Sequence, residues 1–147
     1  MCGIVGYVGK EQVAPLLLDG LSHLEYRGYD SAGIACMENG AIRVHKTKGR
    51  LQVLSDMIDG GKALSSTLGI GHTRWATHGK PSDENSHPHL SDKGNFVIVH
   101  NGIIENYSEI KEELLADGVK FLSETDTEVI CNLLEKYYEG DLMQAVK

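Results

Sequence analysis

The chain begins MCGIVGYVG (residues 1–9), and how this stretch is read decides the fold. "GIVGYVG" has the apolar, β-branched, glycine-punctuated character of a short buried strand. Cys2 stands immediately before it. A buried cysteine is ordinarily a small hydrophobe, and a small residue at a strand start is one account of Cys2. The other account starts from its position. A small residue after the initiator permits removal of Met1, which would make Cys2 the amino terminus, with a thiol and an α-amine on one residue. A terminal amine titrates at about 7.7–8.0 and a thiol near about 8.5, so the amine is matched to take the thiol proton at neutral pH. That arrangement is an N-terminal nucleophile and requires no catalytic histidine.

The bulk composition narrows the class. A chain of 147 residues, 41% hydrophobic and 24% charged, suits one domain that buries roughly two-thirds of its unfolded surface. The net charge of −7 and pI near 5.4 argue against nucleic acid or an acidic membrane as partner, because phosphate neutralisation needs a basic patch. Cys2, Cys36 and Cys131 form no CxxC pair and leave one over, which fits a reducing, cytoplasmic compartment better than a disulfide scaffold. The apolar run after Cys2 is short, glycine-broken and without a basic leader, unlike a signal peptide. No apolar stretch approaches the roughly 20 residues of a membrane span.

Downstream of the first strand, "VAPLLLDGLSHL" predicts a helix with Val13, Leu17, Leu21 and Leu24 on one side. "GIACMENGAIRVHK" predicts a hairpin turning at Asn39-Gly40. "GRLQVLSDMI" predicts a weaker helix closed by Gly60-Gly61, and "LGIGH" a short strand. The polar stretch from Thr73 to Gly94 shows little pattern, and "NFVIVH" predicts the next strand. Two helices should follow. One is capped by Asn106 and Glu109, turns Ile110, Leu114 and Leu115 inward and stops at Gly118. The other opens on a Thr125–Glu128 capping box and buries Val129, Ile130, Leu133, Leu134 and Tyr137. A last helix starts at Asp141 and has no terminating glycine, which suggests a fragment of a longer chain.

Several side chains could act with Cys2. In "HNGIIEN", the Asn101 side-chain amide and the Gly102 N–H could hold an oxyanion, charge that needs preorganised donors; Asn-Gly after a strand is equally a hairpin turn. In "GHTRWATHG", Arg74 offers a bidentate fork for a carboxylate, though an arginine at a strand end is commonly a surface residue, and Trp75 suits a core equally well. In "SETDTEV", Asp126 could hold an ammonium or simply face the helix dipole. Arg74 and Asp126 together would receive the zwitterionic end of a free amino acid and orient the amide at its other end. His72, His78, His87, His89 and His100 crowd one third of the chain. Their spacing fits no zinc signature, so no metal is expected.

"MCGIVG", "EYRGYDSAG", "GHTRWATHG", "SHPH", "HNGIIENY" and "SETDTEV", in this order, resemble the class II glutamine amidotransferases, which are N-terminal-nucleophile hydrolases. Within that class the chain is most similar to the glutaminase domain of the glucosamine-6-phosphate synthases, from Met1 to about Glu135. The purine-pathway amidotransferases typically carry "HRGQD", "RYST" and "HNGNL" at these places. The resemblance implies an α/β, four-layer αββα sandwich, with residues 1–147 a truncated glutaminase domain lacking the sugar isomerase half. Strand edges left open by truncation would be available to a second copy of the chain, a homo-oligomer. It implies Cys2 as nucleophile, Asn101 and Gly102 as oxyanion hole, and Arg74 and Asp126 binding the α-carboxylate and α-ammonium of L-glutamine. Thr77, His78 and Trp75 would line the site within a loop that closes over glutamine, and Arg27 would help organise the terminus. No cofactor is required. The implied activity is hydrolysis of glutamine through a Cys2 γ-glutamyl thioester, the ammonia passing to fructose-6-phosphate. The alternatives are a class II amidotransferase with another acceptor, or a catalytically silent glutamine-binding or assembly module.

Overall fold

The opening strand forms as its composition predicts. In the computed structural model, which describes residues 2–75 and 80–147, β1 (Gly3–Val8) is an outer strand of a four-stranded antiparallel sheet. Its partners are β2 (Ser31–Glu38), β3 (Ala41–Lys48) and β4 (Leu68–Arg74), in the spatial order β1-β4-β2-β3. The β2–β3 hairpin turns at Asn39 (φ 52°) and Gly40 (φ 77°), the paired left-handed conformations of a type I′ turn, which Asn-Gly adopts at low cost.

One face of the sheet carries α1 (Val13–Ser22) and α2 (Leu51–Met57). Leu17, Leu21, Ile34 and Leu54 are fully buried between helices and sheet. Truncating any of the leucines should cost about 2–5 kcal/mol. Gly71 lets α1 sit close: a Cβ there would be 3.0 Å from Leu21 Cδ1. Leu24, expected on the same stripe, lies beyond the helix end and is half-buried.

The other face is covered by a second layer. The segment through His87 crosses at Gly33, where a Cβ would meet His87 O at 2.1 Å, and leads into the two-stranded ribbon of β5 (His89–Leu90) and β6 (Val97–Ile98). Outside the ribbon pack α4 (Glu128–Tyr137) and, against it, α3 (Tyr107–Ala116). A four-residue helix, α5 (Leu142–Ala145), closes the chain, and Asp141 caps it by accepting from Met143 N and Gln144 N. The layers therefore run helix, sheet, ribbon, helix. Beyond the ribbon, Ile4, Val8, Met37 and Leu68 remain exposed.

Three local expectations are corrected. Neither α3 nor α4 has a side-chain N-cap bond. The Glu128 carboxylate instead accepts from Leu122 N, Ser123 N and Ser123 Oγ, and Thr125 Oγ1 pairs with His89 Nε2, so the preceding turn and one tertiary partner displace the capping box. Leu115 and Tyr137 face outward, and the buried residues of α4 are Glu128, Val129, Cys131 and Asn132. The strand expected over "NFVIVH" pairs only at Val97 and Ile98.

Candidate active site

The register of the sheet brings the chain start to the end of β4. Gly3 pairs with Thr73, and Ser31 with Arg74, so Cys2 lies beside Trp75. The Trp75 N–H points at the Cys2 sulfur at 3.1 Å, and the thiol reaches the Trp75 carbonyl at 3.6 Å. Behind this peptide stands Gly28, whose absent side chain permits the contact: a Cβ would be 2.7 Å from Arg74 C and 3.0 Å from Trp75 N.

A cleft of about 340 Å³ opens here. Cys2, Arg27, Arg74, Trp75, Asn101, Gly102 and Asp126 all line it. Met1, Thr77 and His78 lie outside the described residues. Arg74 is buried, 4% exposed, contrary to the surface alternative, because β4 turns it into the space under the second layer. Trp75 is half-exposed at the mouth, edge-on to Tyr29 with ring centroids 5.5 Å apart. Arg27 is exposed at the rim.

Asn101 and Gly102 do not form a hairpin turn, since the next element is α3. Asn101 Nδ2 donates to the Cys2 carbonyl at 3.1 Å. Gly102 lies against His100, where a Cβ would be 2.8 Å from Nε2. Asp126, 6% exposed just before α4, accepts from Ile104 N through Oδ2 at 2.7 Å. The segment from Asn101 to Ile104 is thereby tied to both Cys2 and Asp126.

The sequence reading missed that His72 and His87 also line the cleft, with His89 packed behind them. His72 and His87 stack with centroids 4.3 Å apart, and His89 meets His87 edge-on. Burial is the main cause holding all three below the ordinary histidine range, His72 down to about 4. The available signal was the two-residue spacing of His72 and Arg74 on one strand, which puts both on one face.

A family model described as a glutamine amidotransferase domain matches residues 55–146. The chain belongs to the glutamine amidotransferase domain family. It is 60% identical over 147 residues to glutamine–fructose-6-phosphate aminotransferase (isomerizing) of Caldanaerobacter subterraneus subsp. tengcongensis, covering 100% of this chain and 24% of that protein. The aminotransferase of the same name from Aquifex aeolicus is 60% identical over 146 residues, covering 99% and 24%. The chain thus spans about a quarter of the length of these curated relatives. Among solved structures, glutamine phosphoribosylpyrophosphate amidotransferase from B. subtilis, complexed with ADP and GMP, superposes with a TM-score of 0.81 at 28% identity, covering 99% of this chain and 31% of that one. These amidotransferase neighbours bear out the expected α/β fold of the N-terminal-nucleophile type. Among the described residues, no helix is long and apolar enough to cross a membrane.

Proposed function

We propose that this domain hydrolyses L-glutamine to glutamate and ammonia with Cys2 as nucleophile. The observation that carries the reading is convergence: a thiol, a side-chain amide, a buried guanidinium and a buried carboxylate, drawn from four segments distant in sequence, line one cleft. In this scheme Met1 is removed and the freed α-amine takes the Cys2 proton. The sulfur attacks the side-chain carbonyl carbon of glutamine, and a C–S bond forms as the carbonyl electrons move onto oxygen. The Asn101 amide and Gly102 N–H receive that oxyanion, a contribution of about 10²–10³ in rate for each donor of this kind. The C–N bond then breaks, ammonia leaves with the proton held by the α-amine, and water cleaves the thioester to release glutamate and restore the thiol.

Arg74 pairs with the substrate α-carboxylate and Asp126 with its α-ammonium, which fixes the reacting amide over the sulfur. Trp75, Thr77 and His78 belong to the loop covering the substrate, and Arg27 helps seat the terminus. No cofactor enters these steps. Residues 1–147 are read as the glutaminase domain of a longer enzyme whose isomerase half takes the ammonia to fructose-6-phosphate. Identity of 60% to the aminotransferases named above supports that acceptor. Three unpaired cysteines support a reducing, cytoplasmic setting.

The test is incubation with an electrophilic glutamine analogue followed by intact mass and peptide mapping. One addition, at Cys2 of a chain lacking Met1, is expected, together with loss of glutamine hydrolysis in Cys2→Ala. Labelling at Cys36 or Cys131, or an active Cys2→Ala, would refute the assignment. A chain that binds glutamine without turnover or labelling would point to the silent binding module.

A further inference from the structure

His72 has no role of its own in the proposed chemistry, yet it is hydrogen-bonded to Asn101, which has one. It is buried on β4, 1% exposed, with Nε2 2.9 Å from Asn101 Oδ1. Asn101 Nδ2 in turn donates to the Cys2 carbonyl. The polarity of this chain is fixed at one end. A carbonyl oxygen only accepts, so the Asn101 atom facing Cys2 O is the amide nitrogen, and the atom facing His72 is the amide oxygen. That oxygen also only accepts, so His72 Nε2 carries the proton and donates. The Nδ1 lone pair of the ring then has no hydrogen-bond partner among the described residues. Leaving a buried polar atom unpaired is costly and uncommon. A leucine would fill the same space without that cost, so the ring's distinguishing contribution is its Nε2–H.

We propose that His72 is a positioning residue for glutamine hydrolysis, donating to Asn101 Oδ1 and so locking the Asn101 amide with its nitrogen toward the nucleophile. The inference rests on the glutaminase reading above. The terminal torsion of asparagine is broad and roughly two-fold. An unrestrained Asn101 would therefore present its oxygen to the developing oxyanion for part of the time, which is repulsive. Donors aimed before the reaction need no reorganisation during it. Stacking on His87 holds the ring plane. Burial, reinforced by Arg74 and His100 against the opposing influence of Asn101 and Asp30, keeps the ring neutral and therefore in a single donor tautomer near pH 7.

The test is a double-mutant cycle in the full-length protein, with kcat and KM for glutamine hydrolysis, Cys2 labelling by the electrophilic analogue, and thermal unfolding as readouts. His72→Leu should lower kcat about 10²-fold with KM within about threefold of wild type. His72→Gln, whose amide reaches Asn101, should exceed His72→Asn, whose amide stops short, by about tenfold. In an Asn101→Ala background, His72→Leu should cost less than about twofold more, because the group through which it acts is gone. Equal losses in both backgrounds, or a folded His72→Leu at the wild-type rate, overturn the proposal. Should His72→Leu fail to fold, equal rates for the Gln and Asn variants overturn it instead. A wild-type protein that neither hydrolyses glutamine nor is labelled at Cys2 overturns the glutaminase reading itself, a result recognisable before any variant is made.

Discussion

The Trp75 backbone N–H donates to the Cys2 sulfur at 3.1 Å across 73 positions of sequence. Antiparallel pairing of β1 with β4 makes this contact, and Gly28 leaves room for it. A methyl at position 28 would sit 2.7 Å from Arg74 C and 2.9 Å from Arg74 O, backbone atoms that cannot swing aside. Gly28→Ala should therefore shift the Arg74–Trp75 peptide, slow glutamine hydrolysis by at least about tenfold, and destabilise the fold by about 1–3 kcal/mol. Steady-state kinetics and urea unfolding check this.

At Gly102 the obstacle is a side chain. A Cβ would reach within 2.8 Å of His100 Nε2, the free end of a ring that also pairs with Thr127 Oγ1 at 3.3 Å. Gly102→Ala should displace His100 and lower kcat by about 10-fold to 10²-fold, while the unfolding midpoint changes little. A variant that loses stability but keeps its rate would contradict this placement of Gly102.

Asp126→Asn keeps an acceptor for Ile104 N but removes a negative charge. A hydrogen bond to a charged group contributes about 1.5–3 kcal/mol, so KM for glutamine should rise about 10-fold to 10²-fold, with kcat less affected. Saturation kinetics separate the two parameters.

The packed cluster of His72, His87 and His89 predicts an acid-labile fold. An unfolded histidine takes up its proton near about 6.5. Folded, His72 does so only at about 4, His89 at about 2 and His87 lower still, with burial the main cause and Arg74 and Lys46 adding to it for His87 and His89. The unfolded chain therefore binds more protons across this window, and stability present above about pH 6.5 is lost as pH falls. Each histidine contributes a slope of up to about 1.4 kcal/mol per pH unit. Urea midpoints at pH 7.5 and pH 5 should differ clearly; equal midpoints would contradict the burial of this cluster.

Thiol selectivity should follow burial. Cys36 and Cys131 are buried, and desolvation pushes their thiols up to about 11 and about 12. Since the thiolate is the reactive form, brief treatment of the native protein with iodoacetamide at pH 7.5 should modify Cys2 alone. Peptide mapping would show whether either buried thiol reacts at a comparable rate.

What the sequence revealed was local. The period of Val13, Leu17 and Leu21 and the Asn39-Gly40 turn are signals complete within a few residues, and both formed as read. What it hid depended mostly on partners distant in the chain. Thr125 and Glu128 have the spacing of a capping box, but His89, 36 residues away, takes the Thr125 hydroxyl, while Glu128 turns back to the nearby Leu122–Ser123 backbone. Arg74 looks like a surface arginine until the second layer covers it. Cys2, Arg27, Arg74, Trp75, Asn101, Gly102 and Asp126 could be nominated from motifs, whereas their convergence on one cleft, and the bond from His72 to Asn101, required the fold.

Pairing of β1 with β4 has a practical consequence for anyone producing this protein. Residue 3 is already clamped opposite Thr73 and Cys2 lies against Trp75 in the cleft, so a sequence fused ahead of Cys2 starts at the cleft and leaves no free α-amine on that residue. A purification handle belongs at the opposite terminus, and under the proposed chemistry a leader left on the front should abolish turnover at any glutamine concentration until its proteolytic removal frees the amine.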